Sequence, residues 1–559
     1  MPAVAALTAG LALAAWAAGP GGAGPSSGAC APRGRARILY ASDPSSVAAN
    51  LMPDPATADD LRRWVDMLAD SGVDLYDQEV YSQGWTAYWR SPKLEYDWRS
   101  QHRRFLPLLE AGTQPLSILI DQSHRRGMVF VAGFRMNDNH GLIAGRKGRG
   151  IARSFKEHPE WVLASPDPAR PEMRSDCLDF SFEPVRNSLL DAMEELVGRF
   201  DVDGIELCFR DRAYFPDGAG RERGRLMTDL VRKARALLDR QGKAKGRKLL
   251  LGARVYDTLK ECGDLGLDVP AWVSERLVDY LSPQDAMYSD FNAPYAEFAA
   301  LTRESSCMLY PGMLPWSSLR ARNRLANPLG PAEQRALAHT MYGAGADGIS
   351  LYNHAVVMWN APFYPQMLRT FRQLRDPARV AAGERHYVFD PTWAGQTLFG
   401  EDGRAATGSL KAARLSLDRS ARRPRGEYRF NLYEDLGLAW GATLLLRGFG
   451  LTEDDDLAVR LNGRLVPDAA IRRTRAIGSP EDWTHVRRAR GRALKTVPEL
   501  GRVDLSRQPE PSFSTRWFEL DRGSLRRGEN VLQVELDRGD PRAADPIVID
   551  ELEVWVEPK

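Results

Sequence analysis

The sequence predicts a (β/α)8 barrel followed by an antiparallel β-sandwich, and three observations carry that expectation. Strand-like and helix-like runs alternate from Arg37 to about Arg375, as they do in a closed barrel. Beyond about Val380 strand-like runs follow one another without helices between them, which is the pattern of a sandwich. Third, Asp203 to Asp211 reads DGIELCFRD, with Ile205, Leu207 and Phe209 alternating with Glu206, Cys208 and Arg210. That is a strand's period of two, with one apolar face and one face bearing a carboxylate, a thiol and a guanidinium. Charged groups are not aimed at a dry interior without a partner. Such a strand fits the inner wall of a barrel near its mouth, where the C-terminal strand ends carry the chemistry.

The elements follow in order. Strand one is Ile38 to Ala41. A helix starts at the cap Thr57, with Asp59 and Asp60 in its first turn and Leu61, Trp64, Val65 and Leu68 as its apolar stripe; Gly72 ends it. Strand two is Val73 to Val80. The helix Pro115 to Gly127 leads into strand three, Met128 to Phe134, and the amphipathic helix Pro184 to Phe200 leads into strand four, the DGIELCFRD segment. Strands five to eight are Leu249 to Val255, Val278 to Leu281, Cys307 to Tyr310 and Gly348 to Tyr352, with a helix from Pro331 before the last. An open doubly wound sheet would favour a glycine-rich phosphate loop after strand one, but the segment there is Ala41-Ser42-Asp43-Pro44. In the tail, strands are expected at Tyr428 to Leu432, Ala442 to Leu446, Leu457 to Leu461, Val531 to Leu536 and Ile547 to Val556. The turn signals Asn462-Gly463 and Arg527-Gly528-Glu529-Asn530 lie between them. The expected domains are a signal peptide and linker at 1–30, the barrel at 31–382 and the sandwich at 383–559.

At 559 residues the chain is long enough for two or three domains. Its formal charge of +2 calls for no nucleic-acid partner. The apolar run from Ala3 to Ala18 is short, and a Gly/Pro/Ser/Ala stretch follows it to Ala29. It reads as a secretion signal rather than a membrane span, and Ser27-Gly28-Ala29-Cys30 faintly resembles a lipoprotein cleavage box. The expected location is secreted or periplasmic. The five cysteines and eight histidines are scattered, so neither a zinc site nor a disulfide framework is indicated, and no cofactor is expected. The tract Arg487 to Arg492 reads as a solvated loop or a contact for an anionic glycan.

Polar residues recur just past the predicted strand ends. Asp77 and Glu79 on strand two precede Tyr81, Trp85, Tyr88 and Trp89. Strand three ends in Arg135, Asn137, Asp138, Asn139 and His140; strand four offers Glu206, Arg210 and Asp211. Strand five gives Arg254 and Tyr256, strand six Gln284, Asp285 and Tyr288, strand seven Tyr310, and strand eight Tyr352, Asn353 and His354. A mouth of carboxylates, Arg, Asn and Tyr suits a polyhydroxylated ligand, so a carbohydrate is the expected substrate. Glycosidic cleavage needs one protonated carboxyl and a second that attacks or activates water. Glu206 is the candidate acid and Asp285 its partner, with Asp138 and Asp77 in reserve. Glu206 equally suits a buried ion pair with Arg254 or Arg135, and Asp285 a loop cap. Trp85 and Trp89 fit either a sugar platform or packing under a loop.

DGIELCFRD, the segment Leu251 to Trp272, the run Val278-Asp279-Tyr280-Leu281-Ser282-Pro283 and Tyr310-Pro311-Gly312 together resemble the secreted bacterial glycosyl-hydrolase-like family ten. The resemblance covers about residues 37 to 380 and implies a TIM barrel acting on carbohydrate. DGIELCFR is also distantly similar to the DGxDxDxE strand of family-eighteen chitinases. Arg210 stands at the position of the chitinase acid, and Cys208 at that of the last Asp, so chitinase chemistry is not carried over. These two substitutions raise an alternative, a carbohydrate-binding protein on a degenerate barrel. The tail, with Leu461-Asn462-Gly463 and Gly528-Glu529-Asn530-Val531-Leu532, resembles the jelly-roll accessory domains of sugar-active enzymes.

Overall fold

The computed structural model describes residues 36–559 except 45–46, 49–50, 98, 138–151, 165–176, 210–212, 286–288, 316–328, 355–367, 369, 390–414, 435–436, 438, 467–470, 475–493, 498–500, 505–512 and 522. The barrel wall is built from β1 (Ile38–Ser42), β2 (Leu75–Ser82), β3 (Val129–Arg135), β4 (Gly204–Cys208), β5 (Leu250–Val255), β6 (Tyr280–Pro283), β7 (Met308–Leu309), β8 (Gly312–Met313) and β9 (Ile349–Tyr352). All of these pair in parallel, and β1 lies between β2 and β9. β7 pairs with β6 and β8 with β9. β7 and β8 are two halves of one wall strand, broken at Tyr310-Pro311, and together they close the ring. Pro311 has no N–H for a ladder bond, which is why the expected seventh strand is split and runs on to Met313. The expected (β/α)8 barrel is the fold observed.

Helices cover the outside. α1 (Ala58–Asp70) starts at the capping box of Thr57 and Asp60 and buries Leu61, Trp64, Val65 and Leu68. Trp64 donates Nε1–H to the Tyr76 hydroxyl at 2.9 Å. α2 (Pro115–Arg125) opens on a proline, whose missing N–H would be unpaired there anyway. α3 (Glu183–Arg199) and α4 (Gly220–Ala244) flank β4 in sequence, and α5 (Pro331–Ala344) ends at Gly345 with φ 108°, a left-handed cap that glycine adopts without strain.

The floor of the barrel repeats one fastening on every second strand. Asp74 accepts the backbone N–H of Ile38 at 3.0 Å, and Asp203 that of Phe130 at 2.8 Å. Asp279 accepts that of Leu251 at 2.8 Å, and Asp347 that of Leu309 at 2.9 Å. Each carboxylate stands at the foot of β2, β4, β6 or β9 and grips the strand before it. Several are also paired with cations: Asp74 with Arg375, Asp203 with His124 and Arg247, and Asp279 with Arg235 and Lys248.

A short helix, Pro377–Ala382, precedes β10 (Arg385–Phe389), the first strand of the sandwich. One sheet holds six strands and joins β10, Leu415–Leu417, Ala439–Phe449, Ile471–Thr474, Phe513–Leu520 and β11 (Ile547–Pro558). A second sheet pairs Arg425–Leu432 and Asp456–Leu461 with Gly528–Arg538. Their inner faces alternate as strands must: Tyr428, Phe430 and Leu432, and Leu532, Val534 and Leu536, are buried. Asn462 and Gly463 both have positive φ, at 54° and 81°, the turn that an Asn-Gly pair predicts.

Barrel and sandwich meet through ionised groups. His386 of β10 lies between Glu333 of α5 at 2.9 Å and Glu553 of β11 at 2.7 Å, and its ring stacks on Trp555 with centroids 3.6 Å apart. Beside it Glu434 takes Arg385 and the Tyr387 hydroxyl, which also lies 3.1 Å from His339 of α5. Among the described residues no helix is long and apolar enough to cross a membrane. The expected signal segment at 1–30 and the tract Arg487 to Arg492 lie outside the described residues.

Candidate active site

Strand alternation decides which side chains enter the barrel. On β4 Ile205 and Leu207 pack outward in the main core, so Glu206 and Cys208 point inward. The same parity brings in Asp77 and Glu79 from β2, Arg135 from β3, Arg254 from β5, Tyr280 and Ser282 from β6, and Ser350 and Tyr352 from β9. Beneath them Leu39, Leu75, Val131, Met308 and Tyr310 form an apolar floor. The polar layer therefore sits in the C-terminal half of the barrel.

Glycine makes room for it. Glu206 is registered between Gly133 on β3 and Gly252 on β5. A Cβ at Gly252 would stand 2.0 Å from the Tyr280 ring, and one at Gly133 would stand 2.7 Å from Asp77 Oδ1. Bare backbone on both sides lets the carboxyls and the phenol converge.

Two guanidiniums organise the layer. Arg254 donates Nε–H to Glu206 Oε1 at 2.7 Å and Nη2–H to Oε2 at 3.2 Å, a bidentate pair. Its Nη1 reaches Ser282 at 3.0 Å, Gln284 at 2.7 Å and Ser350 at 3.0 Å, and its plane lies 5.2 Å from the Tyr352 ring centroid. Tyr280 donates its O–H to Glu206 at 3.1 Å. Arg135 bridges Asp43 and Glu79, each at 2.7 Å, and Tyr352 donates to Glu79 at 2.7 Å. The Cys208 thiol lies 3.6 Å from Glu79. Burial, then the Glu79 charge, pushes that thiol well above its ordinary range, so it is a neutral filler and not a nucleophile.

Asp77 stands apart. Its carboxyl adjoins that of Glu206, and Arg254 Nη2 is 3.8 Å away. Neither of its oxygens takes a hydrogen bond from an N–H or O–H donor of the described residues. Burial and then the Glu206 charge hold it well above the ordinary carboxyl range, against the pull of Arg254. This is the environment of a carboxyl that keeps its proton.

The expected site residues divide by place. Glu206 lines the barrel interior and takes the ion pair with Arg254; both are buried from solvent. Arg135, Glu79 and Tyr352 belong to the same interior network rather than to an open rim. Asp285 is buried just past the end of β6. Tyr310 is a correction: its hydroxyl reaches the Ala36 carbonyl at 3.5 Å, at the floor of the barrel and not its mouth. Tyr310, two residues on from Met308, lies with it in the apolar layer. Trp85 is stacked on Phe155 at 4.2 Å, and Trp89 is bonded to Glu195 at 3.0 Å; both are packed and neither offers a flat face to a sugar. Asn137 uses its amide on Leu178 and Ala213 and so ties down two loops. Asn353, at φ 55°, accepts the Asp43 N–H at 2.9 Å. His354 packs edge-on against Phe371, and burial pushes its imidazole down to about 3. Asp138, His140, Arg210 and Tyr288 lie outside the described residues.

Sequence reasoning passed over Asp43, Tyr280, Ser282 and Ser350. Period-two alternation from Tyr280 gives Ser282, and from Tyr352 gives Ser350, so those were readable. Asp43 follows the end of β1, where no period points it inward. Among the described residues no group of three or more His, Cys, Asp or Glu is arranged to hold a metal ion.

No curated protein matches the sequence. Among solved structures, the chain is similar to a cycloisomaltooligosaccharide glucanotransferase from Paenibacillus sp., at 10% identity over 93% of this chain and 57% of that one, TM-score 0.34. It is similar to α-L-fucosidase isoenzyme 2 from Paenibacillus thiaminolyticus at 13% identity over 63% and 51%, TM-score 0.38. The α-amylase from Geobacillus thermoleovorans gives 12% identity over 90% and 99%, TM-score 0.36. The chain thus spans little more than half the length of the first two. Its sequence matches the family described as Glycosyl hydrolase-like 10 over residues 54–229.

Proposed function

We propose that this protein is a secreted glycoside hydrolase acting on a polysaccharide or oligosaccharide, with cleavage at the C-terminal face of the barrel. The observation that carries this reading is the interior layer itself: Asp43, Asp77, Glu79 and Glu206 gathered around Arg135 and Arg254. Burying so many charges is expensive, and replacing them with apolar groups is often neutral or stabilising. Clusters of that kind with displaced protonation are characteristic of active sites. The match to Glycosyl hydrolase-like 10 supports the same class. Glu206 is the proposed general acid for the leaving oxygen, and Asp285 at the end of β6 its partner, as nucleophile or base. The sandwich would steady the barrel or hold glycan.

The test is release of reducing ends from a broad polysaccharide panel by wild type, Glu206→Gln and Asp285→Asn. Loss of the acid is worth about 10²–10⁴-fold. Undiminished turnover in Glu206→Gln would remove Glu206 from that role.

A second reading is favoured by one specific observation. Glu206 is fully enclosed and held by Arg254 and Tyr280, as a structural ion pair would be. On that reading the chain binds carbohydrate without cutting it. A glycan array that shows binding, with no product from any bound glycan, would select it.

A further inference from the structure

We propose that Asp77 and Glu206 are a coupled carboxyl pair that holds one proton between them inside the barrel, with Asp77 positioning that proton for Glu206. The inference deepens the hydrolase reading given above and rests on it for its catalytic consequence, but not for the proton itself.

Asp43, Asp77, Glu79 and Glu206 share a layer with the guanidiniums of Arg135 and Arg254. If all four acids ionised, they would outnumber those two guanidiniums by two. Asp43 also lies in the field of Arg99, which relieves the end of the network that Asp43 occupies. At the other end, among the described residues, Arg254 is the cation beside Asp77. There Arg254 is committed to Glu206 through two hydrogen bonds, and Asp77 is left at 3.8 Å. A buried carboxylate is tolerated when donors surround it. Asp77 has none from the described residues, and its immediate neighbour is another carboxyl. Two acids in contact away from water do not both ionise; one keeps its proton and offers it to the other. Gly133 is part of the arrangement, because a Cβ there would reach Asp77 Oδ1 at 2.7 Å and push the pair apart.

The pair answers a difficulty in giving Glu206 an acid's role. Arg254 occupies both Glu206 oxygens with N–H donors, and neither bond brings an acid's proton to the carboxyl. With Asp77 in contact, a proton is stored one hydrogen bond away. The transfer breaks an O–H bond on Asp77 and forms one on Glu206, and the negative charge passes to Asp77 next to the same Arg254. Asp77 acts through Glu206 and is therefore a positioning residue.

The experiment is infrared difference spectroscopy of the full chain at pH 7 without substrate, reading the C=O stretch of protonated carboxyls. Wild type minus Asp77→Asn should show one such band. Wild type minus Glu206→Gln should show it too, because Asp77 then becomes the sole counter-ion of Arg254 and loses its proton. Asp285→Asn should leave the band in place. Asn replaces a protonated acid at equal size, so Asp77→Asn should unfold at the wild-type temperature. An unchanged band in Asp77→Asn overturns the proposal, as does a band that persists in Glu206→Gln. If the chain hydrolyses a glycan, the fall of activity at high pH should move to lower pH in Asp77→Asn with KM unchanged. Each unit of that shift is tenfold in the protonated fraction. An inactive chain that shows the band keeps this inference and loses the hydrolase reading; an active chain without the band does the reverse.

Discussion

At the scale of single residues, Arg254 is the group on which the interior depends. It supplies the bidentate contact to Glu206 and binds three further oxygens on β6, just past β6 and on β9. Replacing it with Met removes the cation and leaves buried acid behind. Loss of one partner of a buried pair costs about 3–5 kcal/mol. A urea titration of Arg254→Met should show that loss, and the double variant Arg254→Met/Glu206→Met should recover much of it. Gly252 poses the opposite problem. Alanine there meets the Tyr280 ring at 2.0 Å, and overpacking of this kind costs about 1–3 kcal/mol. Gly252→Ala should lower the unfolding midpoint, and Gly252→Ala/Tyr280→Leu should regain part of it. The inward placement of Glu206 was legible in DGIELCFRD, because alternation alone assigns its face. Its closure from solvent was not, because strand parity says nothing about what lies above a side chain. Nor was the fate of Trp85: its packing against Phe155 joins segments about seventy residues apart.

Among the elements, the strand feet carry the most testable electrostatics. Burial pushes Asp203 up, but the His124 bond and the Phe130 N–H override it and hold the carboxyl below its usual value. A depressed acid stabilises the fold above its unfolded value, about 3.9, and that contribution fades as pH falls through the folded value. Asp203→Asn should therefore narrow the gap between unfolding midpoints measured at pH 7 and pH 3. Wild type and variant should differ less at the acid end. Helix and strand identities were legible here from caps and periods: Thr57 with Asp60, Pro115, Pro331 and the period-two runs all mark what the backbone does. Strand seven resisted because Pro311 interrupts its ladder, and a two-residue strand on either side has no period to read.

For the whole molecule, the hinge between barrel and sandwich is a titratable contact. Burial would lower His386, but its bonds to Glu333 and Glu553 win and raise it to about 9. A raised histidine stabilises most below its unfolded value, about 6.5, and its contribution is lost as pH climbs through 9. Arg385, Arg335, Glu434, Glu384 and His339 surround the same seam. His386→Gln should cost about 1.5–3 kcal/mol for each charged hydrogen bond lost. Calorimetry should resolve it as one transition splitting into two, and the split should appear in wild type only above pH 9. The two-part architecture was legible from the change in rhythm near Val380. The seam was not, because its partners come from α5, β10 and β11, which no local pattern connects.

The four aspartates at the barrel's foot have a consequence for how such a protein changes over time. They fasten the frame at its foot: each clasp joins an aspartate to a backbone amide that any residue but proline supplies, and none involves the charged layer overhead. Mutations in that upper layer therefore leave these four clasps in place. A change of chemistry overhead can then leave the foot of the barrel fastened as before.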